Sequence, residues 1–197
     1  MAETRERILR TAARMFSERG YDRVTTREIA GDIGINSASI YHHFISKEEI
    51  LKSLFKLYED ERKRECPDLD ELLALAETEP AHVVLMKSEF HYKDEIREFL
   101  DQILVTAART VNCNPESEEF IRENIFGPIA NVLKPLLIRL AELKKIEPFD
   151  VETFIGILSY YCFAAAALNS SSFKQGVAEY QSAMSFIFSM ITPIERK

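Results

Sequence analysis

Ser37, Ser39, Tyr41 and His42 crowd one short stretch of the chain, and Lys47 follows five residues later. Two hydroxyls, a phenol, an imidazole and an ammonium group are groups that donate hydrogen bonds to phosphate oxygens and to base edges in the major groove of a DNA duplex. Lys47 adds to this, because a cation at the first position of a helix opposes the macrodipole unless an anion visits the same end.

Presenting these groups to a partner requires a rigid mount, and residues 24–50 spell one out. Thr25 and Glu28 have the spacing of a reciprocal capping box, with Val24 and Ile29 at the positions of a hydrophobic staple. Asn36 is a strong N-cap residue, bracketed by Ile35 and Ile40 at staple positions. Ser46 with Glu49 repeats the box, and Ile45 with Ile50 the staple. Gly34 supplies the left-handed conformation that ends a helix. The pattern predicts a helix over 26–33, a tight turn over 34–36, a second helix from Ser37 to about Phe44, and a third beginning at Lys47. That is helix-turn-helix grammar, with Ile40 and His43 or Phe44 facing inward. Ahead of it, Ile8, Ala12, Met15 and Phe16 recur at helical spacing from Thr4, read as the cap, to Arg19, before Gly20. Arg5, Arg7, Arg10 and Arg14 make the opposite side basic, and one or two of them near the helix start are candidates for phosphate contact.

Thr25-Thr26-Arg27-Glu28-Ile29-Ala30, Gly34-Ile35, Ser39-Ile40-Tyr41-His42-His43-Phe44 and Lys47-Glu48 together resemble the DNA-binding signature of TetR-family transcriptional regulators. The resemblance is specific here, extends loosely over about the first fifty residues and is architectural beyond them. It implies an all-α homodimer: an N-terminal three-helix DNA-binding head with a helix-turn-helix (1–46), followed by a larger helical ligand-binding and dimerisation body (47–197). It places DNA contacts at Thr26, Arg27, Ser37, Ser39, Tyr41, His42, His43 and Lys47. Ser37, Ser39 and His42 are assigned mainly to bases, Thr26, Tyr41, His43 and Lys47 mainly to phosphates, and Arg27 to either. The sequence departs from the pattern at Ser37 and Ala38, where many members carry a basic residue or glycine; the difference bears on operator sequence, not on docking mode.

The net charge of −7 argues against a nucleic-acid partner until its distribution is considered. Through Arg64 the chain carries thirteen basic and eleven acidic residues, so this N-terminal part, the head with the helix that follows it, is +2 and the remainder −9. This polarity turns a basic end toward phosphates, though +2 leaves the work to local placement and dimerisation.

The body reads as helices throughout. Leu69, Leu72, Leu73 and Leu75 suggest a short one, 80–91 another, and Ile96 to Val111 a strongly amphipathic one. Asn114-Pro115 is a start signal, while Gly127-Pro128 and Pro135 are expected to interrupt or kink the helix that starts there. Asp150 caps a stretch to Leu168 with almost no polar face, which requires burial on all sides. A last capping box at Ser172 and Gln175 precedes a seam of apolar residues at steps of four and three. Pairing these two helices across a two-fold axis buries both. The expected interface is Phe154, Leu158, Tyr161, Ala165, Phe173, Val177, Tyr180, Met184, Ile187 and Ile191. Candidate ligand-pocket residues are Met86, Phe90, Phe99, Ile103, Phe126 and Tyr160, a set equally readable as core.

No phosphate-cradling glycine loop, HExxH pair or GxSxG elbow occurs in the sequence, so an enzyme is not expected. His82 and His91 have no ligand set around them, and Cys66, Cys113 and Cys162 show neither disulfide nor metal spacing, so no metal or cofactor is expected. No apolar run approaches the length of a membrane span, and a cytoplasmic protein is expected. The expected function is a ligand-responsive regulator, a repressor released from operator DNA by a small molecule. The alternative is a helical module whose first helices grip another protein without binding DNA.

Overall fold

The computed structural model describes residues 2–65, 68–88 and 94–168, and every element among them is helical. Helix α1 spans Ala2–Arg19. It begins two residues before the expected cap, so Thr4 lies inside the helix. Gly20 ends it at φ 90°, donating its N–H to Phe16 at 2.9 Å. A 3-10 turn, Tyr21–Arg23, leads to α2 (Thr26–Asp32), α3 (Ser37–Tyr41) and the long α4 (Lys47–Glu65). Then come α5 (Leu69–Thr78), α6 (Ala81–Ser88), α7 (Asp94–Thr110), α8 (Pro115–Ile121), α9 (Lys134–Glu142) and α10 (Val151–Leu168).

The proline breaks are absorbed rather than left open. Between α8 and α9 the chain stays helical through two π-helical segments, Arg122–Phe126 and Ile129–Leu133, on either side of Gly127-Pro128. A wider turn accommodates a residue that lacks an N–H and would clash with the preceding turn. At the end of the second segment Lys134 donates to Ile129, five residues back. Gly127 fits because the backbone crowds it: a Cβ there would stand 3.3 Å from the Arg122 carbonyl oxygen.

The chain divides into two compact units. Among the described residues, the first comprises 2–63, 94–121 and 166–168, and the second 64–65, 68–88 and 122–165. In the first, Ile8, Leu9, Phe16, Ile29, Ile40, Phe44, Ile50, Leu51 and Leu54 are fully buried. Against this core α1 packs on α7, and α7 on α8. Phe120 of α8 stacks on Phe55 of α4 with centroids 4.3 Å apart. Arg109 of α7 donates to the Ser17 carbonyl of α1 at 2.6 Å. In the second unit Leu72, Ala76, Val84, Leu85, Leu136, Leu137, Leu140, Ile155 and Leu158 form the core. Lys145 closes the end of α5 there, its ammonium donating to the carbonyls of Ala76, Glu77 and Glu79.

Helix α10 has the expected bounds, and Thr153 donates its N–H to the Asp150 carboxylate at 3.1 Å. Burial on all sides does not follow within the protomer: Ile157 is 65% exposed and Tyr160 76%. The apolar seam from Phe173 to Ile191 lies outside the described residues.

Candidate nucleic-acid interface

Each short helix of the head is fixed at both ends by groups that the sequence supplies locally. At the start of α2 the Thr25 hydroxyl accepts the Glu28 N–H at 3.2 Å, and the Glu28 carboxylate accepts the Thr25 N–H at 2.8 Å. Arg19 donates to the same carboxylate. These bonds favour the charged form, and Arg19 with Thr25 lowers the Glu28 pKa to about 2. At the other end Gly34 takes φ 70°, donating to Gly31 at 3.2 Å, while Ile35 donates to Ala30 at 3.0 Å. That pair of bonds is a Schellman closure. Asn36 then caps α3 by accepting the Ala38 N–H at 2.9 Å.

Helix α3 is shorter than expected, ending at Tyr41, with His42 and His43 in the turn after it. His43 and Phe44 both donate to the Ile40 carbonyl, which tightens this turn. Ile40 and Phe44 anchor it in the core at 0% and 1% exposure. Tyr41 is 56% exposed and His42 exposed, while Ser37, Ser39 and His43 are half-buried. The third staple does not close. Ile50 is buried as expected, but Ile45 points into solvent at 83% exposure. Its N–H is drawn to the Glu49 carboxylate, and Ser46 accepts the Glu49 N–H at 3.2 Å. The backbone is capped, and the Ile45 side chain is left outside.

Two of the expected DNA contacts meet: the hydroxyls of Thr26 and Tyr41 lie 3.3 Å apart in a hydrogen bond that joins the start of α2 to the end of α3. Lys47 has internal partners. Its ammonium donates to the carbonyls of Tyr21 and Val24 at 3.0 and 3.1 Å and lies 4.1 Å from the centre of the Tyr21 ring. One of its three donors remains for a visiting anion.

The basic side of α1 is likewise engaged. Arg5 bonds Ser53 and covers the Phe44 ring, Arg7 donates to the Ile33 carbonyl at the end of α2, Arg10 pairs with Glu6, and Arg14 bridges Glu18 and Asp32. These arginines clamp α1 to the helices beside it, a use that periodicity along one helix cannot disclose. Lys52 and Lys56 pair with Glu116 and Asp60.

The ligand-pocket candidates fall in both units. Phe99, under the Arg10 guanidinium, and Ile103 are core residues of the first. Met86 and Tyr160, both exposed, and Phe126, whose ring centre lies 6.1 Å from that of Phe163, belong to the second. Phe90 lies outside the described residues. Of the interface candidates, Leu158 is buried in its own core and Phe154 packs edge-on against Phe149 there. Tyr161 is exposed and Ala165 half-buried, while Phe173, Val177, Tyr180, Met184, Ile187 and Ile191 lie outside the described residues. Among the described residues no group of three or more metal-ligating side chains occurs, and no helix is long and apolar enough to cross a membrane.

Residues 8–54 match the profile of the family described as "Bacterial regulatory proteins, tetR family". The HTH-type transcriptional regulator YerO of Bacillus subtilis is 33% identical over 119 residues, covering 60% of this chain and 39% of that protein. The HTH-type transcriptional repressor KstR2 of Mycobacterium tuberculosis is 48% identical over 56 residues, 28% of either chain. These matched stretches thus span well under half of the curated relatives. Among solved structures, a transcriptional regulator from Saccharomonospora viridis in complex with choline superposes with a TM-score of 0.61 at 20% identity, covering 98% of this chain and all of that one. The TetR-family protein CprB from S. coelicolor gives 0.59 at 17% identity over 100% and 92% of the two chains. At such identities the likeness is one of fold.

Proposed function

We propose, from the premise that this chain belongs by its head to the tetR family of bacterial regulatory proteins, that it is a cytoplasmic DNA-binding transcriptional regulator and not an enzyme. Residues 1–46 are the DNA-binding domain and 47–197 the regulatory and dimerisation part. The observation that carries this reading is a short helix, α3, held by buried Ile40 and Phe44 with Tyr41 and His42 turned to solvent. Such a helix enters a major groove with Ser37, Ser39 and His42 toward base edges and Thr26, Tyr41 and His43 toward phosphates. Arg27 reaches either, and Lys47 contributes its one remaining donor.

Two heads are needed to read two half-sites about 34–36 Å apart. The protomers pair through the exposed stripe Ile157, Tyr160, Tyr161 and Ala164 of α10, whose spacing places them on one face. Several relatives are named repressors, which supports repression, and a regulator of this fold crystallised with choline supports a small-molecule effector for the body. An effector that favours one head spacing over another releases the operator by its differential affinity.

The test is an anisotropy titration on the DNA upstream of the protein's own gene and on a scrambled duplex, over a range of salt. Tighter binding to the first, with affinity falling linearly in log salt, is the expected result. Absence of binding to both at low salt refutes the reading.

A further inference from the structure

Among the described residues 2–60, Arg23 and Arg27 are the cations with no internal partner. Every arginine of α1, and Lys47, Lys52 and Lys56, has a hydrogen bond or ion pair within the first compact unit. Arg27 figures already among the expected contacts; Arg23 does not. It is exposed, at the last position of the 3-10 turn Tyr21–Arg23, two residues before the Thr25 cap.

Its surroundings do not explain it. The neighbouring carboxylates are committed elsewhere: Glu28 to Arg19 and Thr25, Asp32 to Arg14, Glu18 to Arg14 and Glu49 to the Ile45 N–H. Glu48, beside Tyr21, is held by its own backbone N–H and the Ser46 hydroxyl, and Asp22 is adjacent in sequence, where successive side chains of a 3-10 turn diverge by about 120°. So two like charges four residues apart flank the start of α2 and its Thr26–Tyr41 hydroxyl pair, in a head that neutralises its other cations. The backbone around Arg23 is well held. Its N–H donates to Gly20 at 3.2 Å, Val24 donates to Tyr21, and the Lys47 ammonium ties the carbonyls of Tyr21 and Val24 together. A guanidinium on a fixed turn loses less freedom on meeting a phosphate than one on a loose loop.

We propose that Arg23 is a sequence-independent phosphate anchor of the head, gripping the duplex backbone beside the groove that α3 enters, with Arg27 on the other side of the cap. The proposal rests on the DNA-binding reading above and adds to it a residue that sets affinity and register without reading bases.

The experiment compares full-length wild type with Arg23→Gln, Arg23→Lys and Lys63→Gln. The last is an exposed cation without an internal partner roughly 24 Å further along α4, and removes the same charge from a remote place. Each protein is titrated onto the upstream DNA and onto a random 30-base-pair duplex from low to moderate salt. Arg23→Gln is expected to weaken binding several-fold on both duplexes and to reduce the salt slope by about 0.9 per protomer bound. The ratio between duplexes should stay unchanged. Arg23→Lys should recover most of the slope, and Lys63→Gln should leave it alone. A slope unchanged in Arg23→Gln, an equal loss in Lys63→Gln, or a loss confined to the upstream DNA overturns the anchor while leaving the regulator reading in place. Failure of wild type to bind either duplex overturns both.

Discussion

Tyr41 joins two roles in one side chain, sharing a hydrogen bond with Thr26 while standing 56% exposed on the outward side of α3. Tyr41→Ala should therefore weaken DNA binding by about 1–2 kcal/mol, roughly tenfold, for loss of a bond to a charged oxygen, while the melting temperature falls only slightly, because the lost Thr26 bond is solvent-exposed. Lys47 should behave differently. Because its ammonium satisfies two carbonyls, Lys47→Met is expected to destabilise the head by about 1–2 kcal/mol, read as a lower melting temperature, so a lysine chosen for DNA from its place in the sequence also serves the fold. That second use depends on Tyr21 and Val24, more than twenty residues earlier, and no local pattern shows it. Asp101 of α7 was equally hidden. Burial raises its pKa to about 7, against the opposing charge of Arg97, and one carboxylate oxygen has no partner. Relative to the unfolded chain the folded state holds this proton more tightly, so stability falls as pH rises from about 4 to about 7. Asp101→Asn should flatten that decline and raise the melting temperature at pH 8; a variant that melts lower at pH 8 counts against the assignment.

At the scale of elements, caps were the most legible feature, because a cap is written in three or four consecutive residues. The Thr25–Glu28 box, the Gly34 closure, the Asn36 cap and the Asp150 cap all formed where the sequence puts them. Staples depend on where the preceding residue's side chain can go, and Ile45 shows the limit: the Ser46 cap formed, yet Ile45 stayed out. Thr25→Ala is expected to cost about 1 kcal/mol, measured by denaturant titration. Glu28 gives the box a pH signature of the opposite sign to Asp101. Its folded pKa of about 2 lies below the ordinary 4.5, so its contribution is full above pH 4.5 and is lost as pH falls toward 2. Glu28→Gln should abolish that acid-side loss and lower stability by a constant amount above pH 5, where the wild-type carboxylate is fully charged. The kink expected at Gly127-Pro128 became two wide-turned segments, since sequence marks where an ordinary turn fails but not what replaces it.

For the whole molecule, amphipathic periodicity identified α7 as a helix with a buried face but could not say that α1 and α8 cover it. Partner choice between distant helices is a tertiary fact, and with it went the division into units. The same blindness affected α10, where composition alone suggested burial all round. Its two sides now make separate predictions. Leu158→Ala, in the core, should lower stability by about 2–5 kcal/mol and leave assembly intact. Tyr160→Asp, on the exposed stripe, should leave helicity intact and shift the species seen in sedimentation velocity from dimer to monomer. An unshifted boundary would remove that stripe from the interface.

The arginines of α1 face inward electrostatically, each held by a hydroxyl, a carbonyl or a carboxylate of its own domain. On a duplex, a head built this way would present few uncommitted cations, Arg23 and Arg27 among them, so its hold on any of the ~10⁶–10⁹ decoy positions of a genome would rest on those few contacts rather than on a broad basic face.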